Sequence, residues 1–285
     1  MFSAPSLTHL WPLAVAASVL GGSAASAAEA SPWHEDVQSS ARLIAAPTRL
    51  ENGVRLWRAG VEIKLKEGWK TYWRYPGDSG VPPSFDFSKS QNVRTLTVLY
   101  PAPSRFPDGA GGSSIGYKGD VVLPVHVVAQ DAAKPVVLRL KLDYAVCEKL
   151  CVPAEAALEL ELADTSDAKG DAVAAAEAQV PRPATIGEGG LPSIRAVHRE
   201  PGKDKPRIVV DVASASGAPV ALFAEGPNPQ WALPLPEPVA GAPAGLQRFA
   251  FDLDGVPPGE KTEGANLRLT AVSGAKAVEV AFRLD

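Results

Sequence analysis

Short segments in which apolar and polar residues alternate recur along the chain, and this period of two constrains the fold more than any other feature. In residues 60–66, GVEIKLK, the apolar Val61, Ile63 and Leu65 alternate with charged side chains. This pattern is typical of a strand with one face buried and the other face in water. It predicts strands at residues 60–66, 92–100, 120–129, 135–144 and 157–162, and again at residues 205–214, 218–226, 246–254, 266–273 and 277–284.

Turn-forming residues separate these segments and argue against long helices. The chain contains 27 Pro and 25 Gly, which are densest in YPGDSGVPP (75–83) and PDGAGGSS (107–114). Pro and Gly are the residues that most often interrupt regular secondary structure. We therefore predict an all-β chain that folds into two antiparallel β-sandwich domains, the first with about seven or more strands.

An alanine-rich segment, residues 164–183, lies between the two halves. Residues 171–179 can form a short helix, which Pro181 and Pro183 would end. We interpret this segment as a connector. The predicted organisation is a cysteine-containing sandwich at residues 28–163, a linker at 164–185, and a second, smaller sandwich without cysteine at 186–285.

The N-terminus has the pattern of a secretory signal peptide. Residues 10–20 form an apolar stretch too short to span a bilayer comfortably, and Ala25-Ser26-Ala27 fits the pattern that signal peptidase reads. We predict that residues 1–27 are cleaved, with a retained anchor as the alternative, and that no membrane span remains. The mature protein is then expected in the periplasm, where cysteines meet oxidants.

Both cysteines lie in one connection between two predicted strands. YAVCEKLCVP (144–153) holds Cys147 and Cys151, and the flanking strands place this connection at an end of the sandwich. A structural disulfide here would close a five-residue ring, which stabilises a fold by only about 2 kcal/mol. A tight ring favours a readily exchanged disulfide instead. Lys149 would stabilise a thiolate in this loop, whereas Glu148 would oppose it.

A metal site is a third chemistry open to the pair. Two close thiolates, Cys147 and Cys151, can bind Cu(I). Zinc would need four ligands, and the chain has two cysteines, four histidines and no His-x-x-x-His pattern. His126 lies on a predicted strand and could approach the cysteines, although a single strand histidine is more often a surface or hydrogen-bonded residue. Copper binding therefore stays open beside exchange and a structural role.

Other residue patterns point to structure rather than chemistry. Aromatic side chains cluster near the first turn-rich segment, where they could form a recognition surface, but core packing is the commoner role in a β-sandwich. The cluster comprises Trp57, Trp69, Tyr72, Trp73 and Tyr75. Lys and Arg are scattered at a formal net charge of −4, so we expect no nucleic-acid partner.

Three segments resemble one family. They are GWKTYWRYPGDSGVPPSFDF (68–87), IGYKGDVVLPVHV (115–127) and YAVCEKLCVPAEAALEL (144–160). These segments resemble the N-terminal periplasmic domain of DsbD, the transmembrane thiol:disulfide interchange protein, and the shorter DsbD-domain proteins related to the copper-sensitivity suppressor ScsB. The resemblance covers roughly residues 35–165.

The resemblance implies an immunoglobulin-like domain and a redox function for the cysteines. Cys147 and Cys151 match the family's redox pair, which takes electrons from one thioredoxin-fold partner and hands them to another through a mixed disulfide. The family also implies a cap loop over the pair at about residues 105–118, with Phe106 and Tyr117 as candidate shielding aromatics. No cofactor is implied, apart from copper under the alternative.

The sequence departs from the family pattern in two respects. Only three residues separate the cysteines, whereas the enterobacterial pattern has a longer spacing. A second β domain follows in place of the membrane electron-transfer and thioredoxin domains of the full-length protein. We therefore expect a thiol-disulfide oxidoreductase component whose electron donor is a separate membrane protein. A binding module with a structural disulfide is the alternative.

Overall fold

The computed structural model describes residues 1–2, 28–109, 111–162, 168–215 and 218–285. The predicted signal peptide falls almost entirely outside these residues. Within the described ranges, no helix has the length and apolarity needed to cross a membrane.

The first half of the chain forms two antiparallel sheets that pack face to face. One sheet has the strand order β1-β2-β3-β9-β6, and the other has the order β11-β10-β4-β8-β7 with β5 paired to β10. The strands are β1 (His34–Glu35), β2 (Ser39–Glu51), β3 (Val54–Leu65), β4 (Lys70–Gly77), β5 (Ser84–Asp86), β6 (Val93–Val98), β7 (Ser104–Pro107), β8 (Ser113–Lys118), β9 (Val121–Ala129), β10 (Val136–Cys147) and β11 (Cys151–Leu162).

The alternation in the sequence decides which side chains enter the core of this sandwich. In β10, Leu138, Leu140 and Leu142 are buried, while the residues between them are partly or fully exposed. They join inward-facing residues from both sheets in one apolar cluster, as period-two burial requires.

The second half repeats the two-sheet arrangement with shorter strands. Its sheets have the orders β12-β19-β18-β15 and β13-β14-β17-β16. The strands are β12 (Arg182–Pro183), β13 (Ser193–Glu200), β14 (Arg207–Ala213), β15 (Ala221–Glu225), β16 (Glu237–Pro238), β17 (Leu246–Asp252), β18 (Asn266–Ser273) and β19 (Lys276–Arg283). The fold prediction of an all-β chain with two immunoglobulin-like sandwiches is confirmed.

Two predicted turn segments were drawn too wide. β4 runs through Gly77 into residues 75–83, and β8 begins at Ser113 within residues 107–114. Pro76 lies near the end of β4, and Gly77 leaves the strand with φ at +85°. The prolines and glycines therefore mark where these strands end rather than excluding them.

The helix α1 (Ala168–Glu177) starts three residues before and ends two residues before the predicted span. It packs on the outer face of the first sandwich, where Val173 is fully buried against Ile44 and Ala46. At its end, Glu177 accepts hydrogen bonds from Arg58 at 2.6 and 2.9 Å. Part of the segment predicted as a linker is thus docked on the first domain.

The two sandwiches meet through the middle of β4. The Arg74 guanidinium forms a bidentate pair with Glu225 at 2.7 and 2.8 Å and also binds Glu279. The Trp73 ring lies 5.8 Å from that of Phe223. Phe223 is on β15 of the second sandwich, but it packs in the apolar cluster of the first. Strand β4 therefore links the second sandwich to the core of the first.

Candidate functional site

The two cysteines close the hairpin formed by β10 and β11. The strands pair in continuous register from Val136 opposite Leu162 to Cys147 opposite Cys151. The final pair is joined by a disulfide with the Cα atoms 4.1 Å apart, and residues 148–150 form the connecting loop. The sequence prediction that the pair lies in a strand connection at an end of the sandwich agrees with this geometry.

The disulfide lies on the outer face of its sheet. Even-numbered residues of β10 point into the core, so Ala145 and Cys147 point outward, where they form a small buried cluster with Tyr72. Strand β4 holds this end of β10, because Lys70 lies opposite Cys147 and the Thr71 hydroxyl donates to the Ala145 carbonyl at 2.9 Å. The site is thus fixed by a neighbouring strand as well as by its own hairpin.

The two cysteines differ in their access to solvent. Cys147 is 8% exposed, whereas Cys151 lies in the exposed first part of β11. Two apolar side chains beside Cys151 are also open to solvent, with Leu150 78% and Val152 40% exposed. Cys151 is therefore the more accessible cysteine, and its exposed neighbours at the hairpin tip include apolar and charged side chains.

Tyr72 is the aromatic side chain that contacts the disulfide. Its hydroxyl oxygen lies 2.9 Å from Cys151 Sγ, and the residue is 2% exposed. A Cβ at Gly80 would lie 2.5 Å from the Tyr72 ring, so the loop after β4 can pack flat on the ring only with glycine there. Burial raises the pKa of Tyr72, a hydrogen bond with Ser114 opposes this, and the charge of Asp108 adds to it. The hydroxyl therefore keeps its proton near neutral pH.

Comparison with known proteins identifies the domain that carries this site. Residues 52–163 match the family model of the N-terminal domain of the thiol:disulfide interchange protein DsbD. The chain contains a DsbD N-terminal-like domain. The matched span includes Tyr72 and both cysteines, and the resemblance seen in the sequence is confirmed.

The overall fold resembles a solved structure over almost its whole length. The crystal structure of the N-terminal periplasmic domain of ScsB from Proteus mirabilis superposes with a TM-score of 0.68. The two sequences are 21% identical, and the match covers 90% of this chain and 98% of that chain. The likeness therefore extends the shared fold beyond the DsbD N-terminal-like domain into the second sandwich. No curated protein matches the chain.

The two candidate cap residues of the DsbD N-terminal-like domain occupy different places. Phe106 is buried on β7, with Lys70 Nζ 4.7 Å and Lys118 Nζ 5.4 Å from its ring centroid. Tyr117 points into the sandwich, and its hydroxyl donates to the Pro101 carbonyl at 2.9 Å. Tyr117 is therefore not placed at the sulfurs, because its strand position faces the core.

Tyr72 was missed as a site residue because the sequence analysis interpreted its aromatic cluster as core. That interpretation holds for Trp57 and Trp73, which are buried in the main cluster, and for Trp69 and Tyr75, which pack against it. The alternation along β4 contained the missing signal. If Trp73 and Tyr75 point inward, Tyr72 must point outward.

The copper alternative gains no further ligand from the described residues. His126, which sequence analysis considered near the cysteines, lies on the other sheet, with Nε2 2.7 Å from Glu177 Oε1. The described part of the chain holds no group of three or more His, Cys, Asp or Glu side chains arranged for a metal. Cys147 and Cys151 would have to bind Cu(I) as an isolated pair of thiolates.

Proposed function

We propose that this protein is exported to the periplasm and exchanges thiols and disulfides with thioredoxin-fold proteins through Cys147 and Cys151. The observation that carries the proposal is the disulfide at an accessible hairpin end within a DsbD N-terminal-like domain. The signal-peptide pattern of residues 1–27 and the periplasmic origin of the ScsB domain of similar fold support export. A reduced thioredoxin-fold partner would supply the electrons.

The exchange proceeds in two displacements at sulfur. A thiolate of the reduced partner attacks Cys151 Sγ, a mixed disulfide forms, and Cys147 leaves as a thiolate. The partner's second thiolate then attacks its own sulfur in the mixed disulfide and releases Cys151 as a thiolate. The partner ends as a disulfide, and this protein ends as a dithiol carrying two electrons. The reverse sequence with a second, oxidised partner passes those electrons on.

The difference in exposure supports Cys151 as the cysteine that forms the mixed disulfide. In-line attack on a disulfide needs room behind the attacked sulfur, and access is one of the factors that decide which sulfur reacts. Cys147 is nearly buried against Tyr72 and Ala145, whereas Cys151 lies beside the exposed Leu150 and Val152. Cys147 then acts as the leaving group and, in the reverse direction, as the resolving thiol.

Trapping of a partner tests the proposal. A thioredoxin-fold protein that keeps only its attacking cysteine, activated with thionitrobenzoate, is mixed with the reduced Cys147→Ala variant. Release of thionitrobenzoate and a stable mixed disulfide are expected. The matched Cys151→Ala variant, which keeps only the buried thiol, should react at least about tenfold more slowly because its sulfur is less accessible.

The outcomes separate the alternatives. If neither variant forms the mixed disulfide, the exchange function is refuted, and equal rates would overturn the assignment of Cys151. A reduction potential below about −300 mV for the wild-type pair would indicate a structural disulfide. One-to-one Cu(I) binding that either substitution removes, in the absence of trapping, would favour the copper alternative.

A further inference from the structure

The contact between Tyr72 and Cys151 belongs to a larger polar network behind the disulfide. The side chain of Ser114, which is as buried as Tyr72, lies beside the Tyr72 hydroxyl. Ser114 Oγ also donates to the Ser79 carbonyl at 3.1 Å and lies 3.3 Å from Ser79 Oγ. The Ser79 hydroxyl in turn donates to Asp108 Oδ2 at 2.9 Å. The network therefore runs from a disulfide sulfur to a carboxylate.

Three separate chain segments hold Tyr72 in place. Its own strand β4 pairs with β8 at Gly116, where a Cβ would lie 2.0 Å from the Thr71 carbonyl oxygen. The loop after β4 covers the ring at Gly80, and Asp108 is anchored because its Oδ1 accepts from the Gly112 amide at 3.0 Å. Few of these contacts can rearrange, so the position of the hydroxyl is set before a partner binds.

We propose that the Tyr72 hydroxyl is a catalytic hydrogen-bond donor that stabilises the Cys151 thiolate, and that Ser114 positions it. This inference rests on the proposed exchange function. A disulfide sulfur is a weak acceptor, whereas a thiolate carries a full negative charge. Hydrogen bonds to charged groups are about twice as strong as neutral ones, and the donor here belongs to a buried side chain. The contact is therefore stronger when Cys151 is a thiolate than when it is oxidised.

No proton crosses the hydrogen bond in this step. Tyr72 keeps its proton when Cys151 leaves the mixed disulfide as a thiolate, and solvent protonates the sulfur afterwards. The same contact acts when the Cys151 thiolate attacks an oxidised partner. It increases the fraction of reactive thiolate near neutral pH, because the thiolate is the nucleophile.

The charged groups around the site affect the Cys151 thiolate from a greater distance than the Tyr72 hydroxyl does. Asp108 lies at the end of the network, and Asp78 accepts from the Ser113 amide at 2.9 Å. Both carboxylates oppose formation of a thiolate. Lys70 and Lys118 favour a thiolate but stack over Phe106. In the loop, Glu148 and Lys149 carry opposite charges.

The test compares two hydroxyl deletions on the same strand in a Cys147→Ala background, where Cys151 is the single thiol. Tyr72→Phe removes the proposed donor and keeps the ring. Tyr75→Phe is the matched control, because the Tyr75 hydroxyl donates to the Leu233 carbonyl in the second sandwich instead. The pKa of Cys151 is measured from thiolate absorbance and from the rate of iodoacetamide alkylation against pH.

Tyr72→Phe should raise the pKa of Cys151 by about one unit, the equivalent of one hydrogen bond to a charged group. Ser114→Ala should raise it less, and Tyr75→Phe should leave it unchanged. An unchanged pKa in Tyr72→Phe would overturn the inference, as would an equal shift in Tyr75→Phe, which would indicate a general loss of packing.

The two proposals can fail independently in these measurements. Alkylation reports the thiolate without any partner, so a shifted pKa with no trapped partner would keep the role of Tyr72 and refute exchange. A trapped partner with an unshifted pKa of Cys151 would support exchange and refute the role of Tyr72. In the wild-type background, loss of thiolate stabilisation in Tyr72→Phe should also make the reduction potential of the pair more negative.

Discussion

The hairpins β10–β11 and β18–β19, one from each sandwich, are closed in different ways. In the first sandwich, β10 and β11 are joined by residues 148–150 and by the disulfide between their last paired residues. In the second, β18 and β19 pair in continuous register up to Ser273 opposite Lys276, and a two-residue turn that begins at Gly274 joins them. The second hairpin needs no covalent link. A hairpin of this kind therefore closes without a disulfide, which is consistent with the exchange role proposed for Cys147 and Cys151.

Both hairpins contact β4, through residues that lie two positions apart on that strand. At one end, β4 pairs with β10, and Tyr72 contacts Cys151. In the middle of the strand, Arg74 binds Glu279 of β19. One short strand thus carries both the site's hydrogen-bond donor and the joint between the two sandwiches.

The largest expected effect separates the chemical role of the disulfide from its structural role. Replacing both Cys147 and Cys151 with Ala should abolish exchange with a thioredoxin-fold protein. The same change should lower the free energy of unfolding by only about 2 kcal/mol, because the ring that opens has five residues. Urea denaturation measures the second quantity. A loss of more than about 4 kcal/mol would show that the hairpin, unlike its counterpart, depends on the covalent link.

The second prediction concerns the stability of the first sandwich at acid pH, which depends on Glu177 at the end of α1. Burial alone would raise the pKa of Glu177, but hydrogen bonds from His126 and Arg58 outweigh it and lower the pKa to about 2. A carboxyl whose pKa is depressed by folding stabilises the fold above its unfolded pKa, about 4.5. This contribution, roughly 3 kcal/mol, is lost as the pH falls from about 4.5 to about 2.

Glu177→Gln isolates this effect. At pH 7 the variant should be less stable than the wild type in urea denaturation, and the difference should shrink towards zero as the pH approaches 2. A difference that stays constant over this range would contradict the role of the carboxylate. Exchange measured at pH 7 should be unchanged, because the helix docks on the opposite sheet from the disulfide.

Strands could be predicted from the sequence where one face of the strand is exposed to solvent. β10 and β18 follow the alternation, and both were predicted. β2 was missed because α1 covers its outer face, so Ile44 and Ala46 are buried there and the segment LIAAP shows no alternation. A bulge between Ala46 and Arg49 shifts the phase further. The sequence of a strand does not reveal that a later helix packs on it.

Only the part of the site that is local in sequence could be predicted. The cysteine connection follows from local sequence, because the two flanking strands are adjacent in the chain. The contact of Tyr72 with Cys151 spans 79 residues and depends on β4 lying beside β10. Alternation indicates the face of β4 on which Tyr72 lies, but only the sheet order shows what it meets there.

The third prediction tests the joint on β4. Arg74→Met leaves Glu225 and Glu279 without their shared guanidinium, and we expect a loss of about 2 kcal/mol in the free energy of unfolding. Arg139→Met is the matched control, because Arg139 pairs with Glu159 on the solvent side of the first hairpin, where solvent screens an ion pair and its contribution is small. Equal losses would mean that the joint is no stronger than a surface pair.

The smallest expected effect lies in the turn of the second hairpin. Gly274 has φ at +59°, a left-handed conformation that costs other residues about 1 kcal/mol, and open space surrounds the position of a Cβ. Gly274→Ala should therefore lower stability by about 1 kcal/mol and leave exchange unchanged. At the first hairpin tip, Leu150→Ala should slow exchange and leave stability almost unchanged. This exposed side chain supports little of the fold but lies on the surface where we propose that a partner docks. If Gly274→Ala slowed exchange as much as Leu150→Ala, the two hairpins would not be independent, and β4 would have to transmit the change between them.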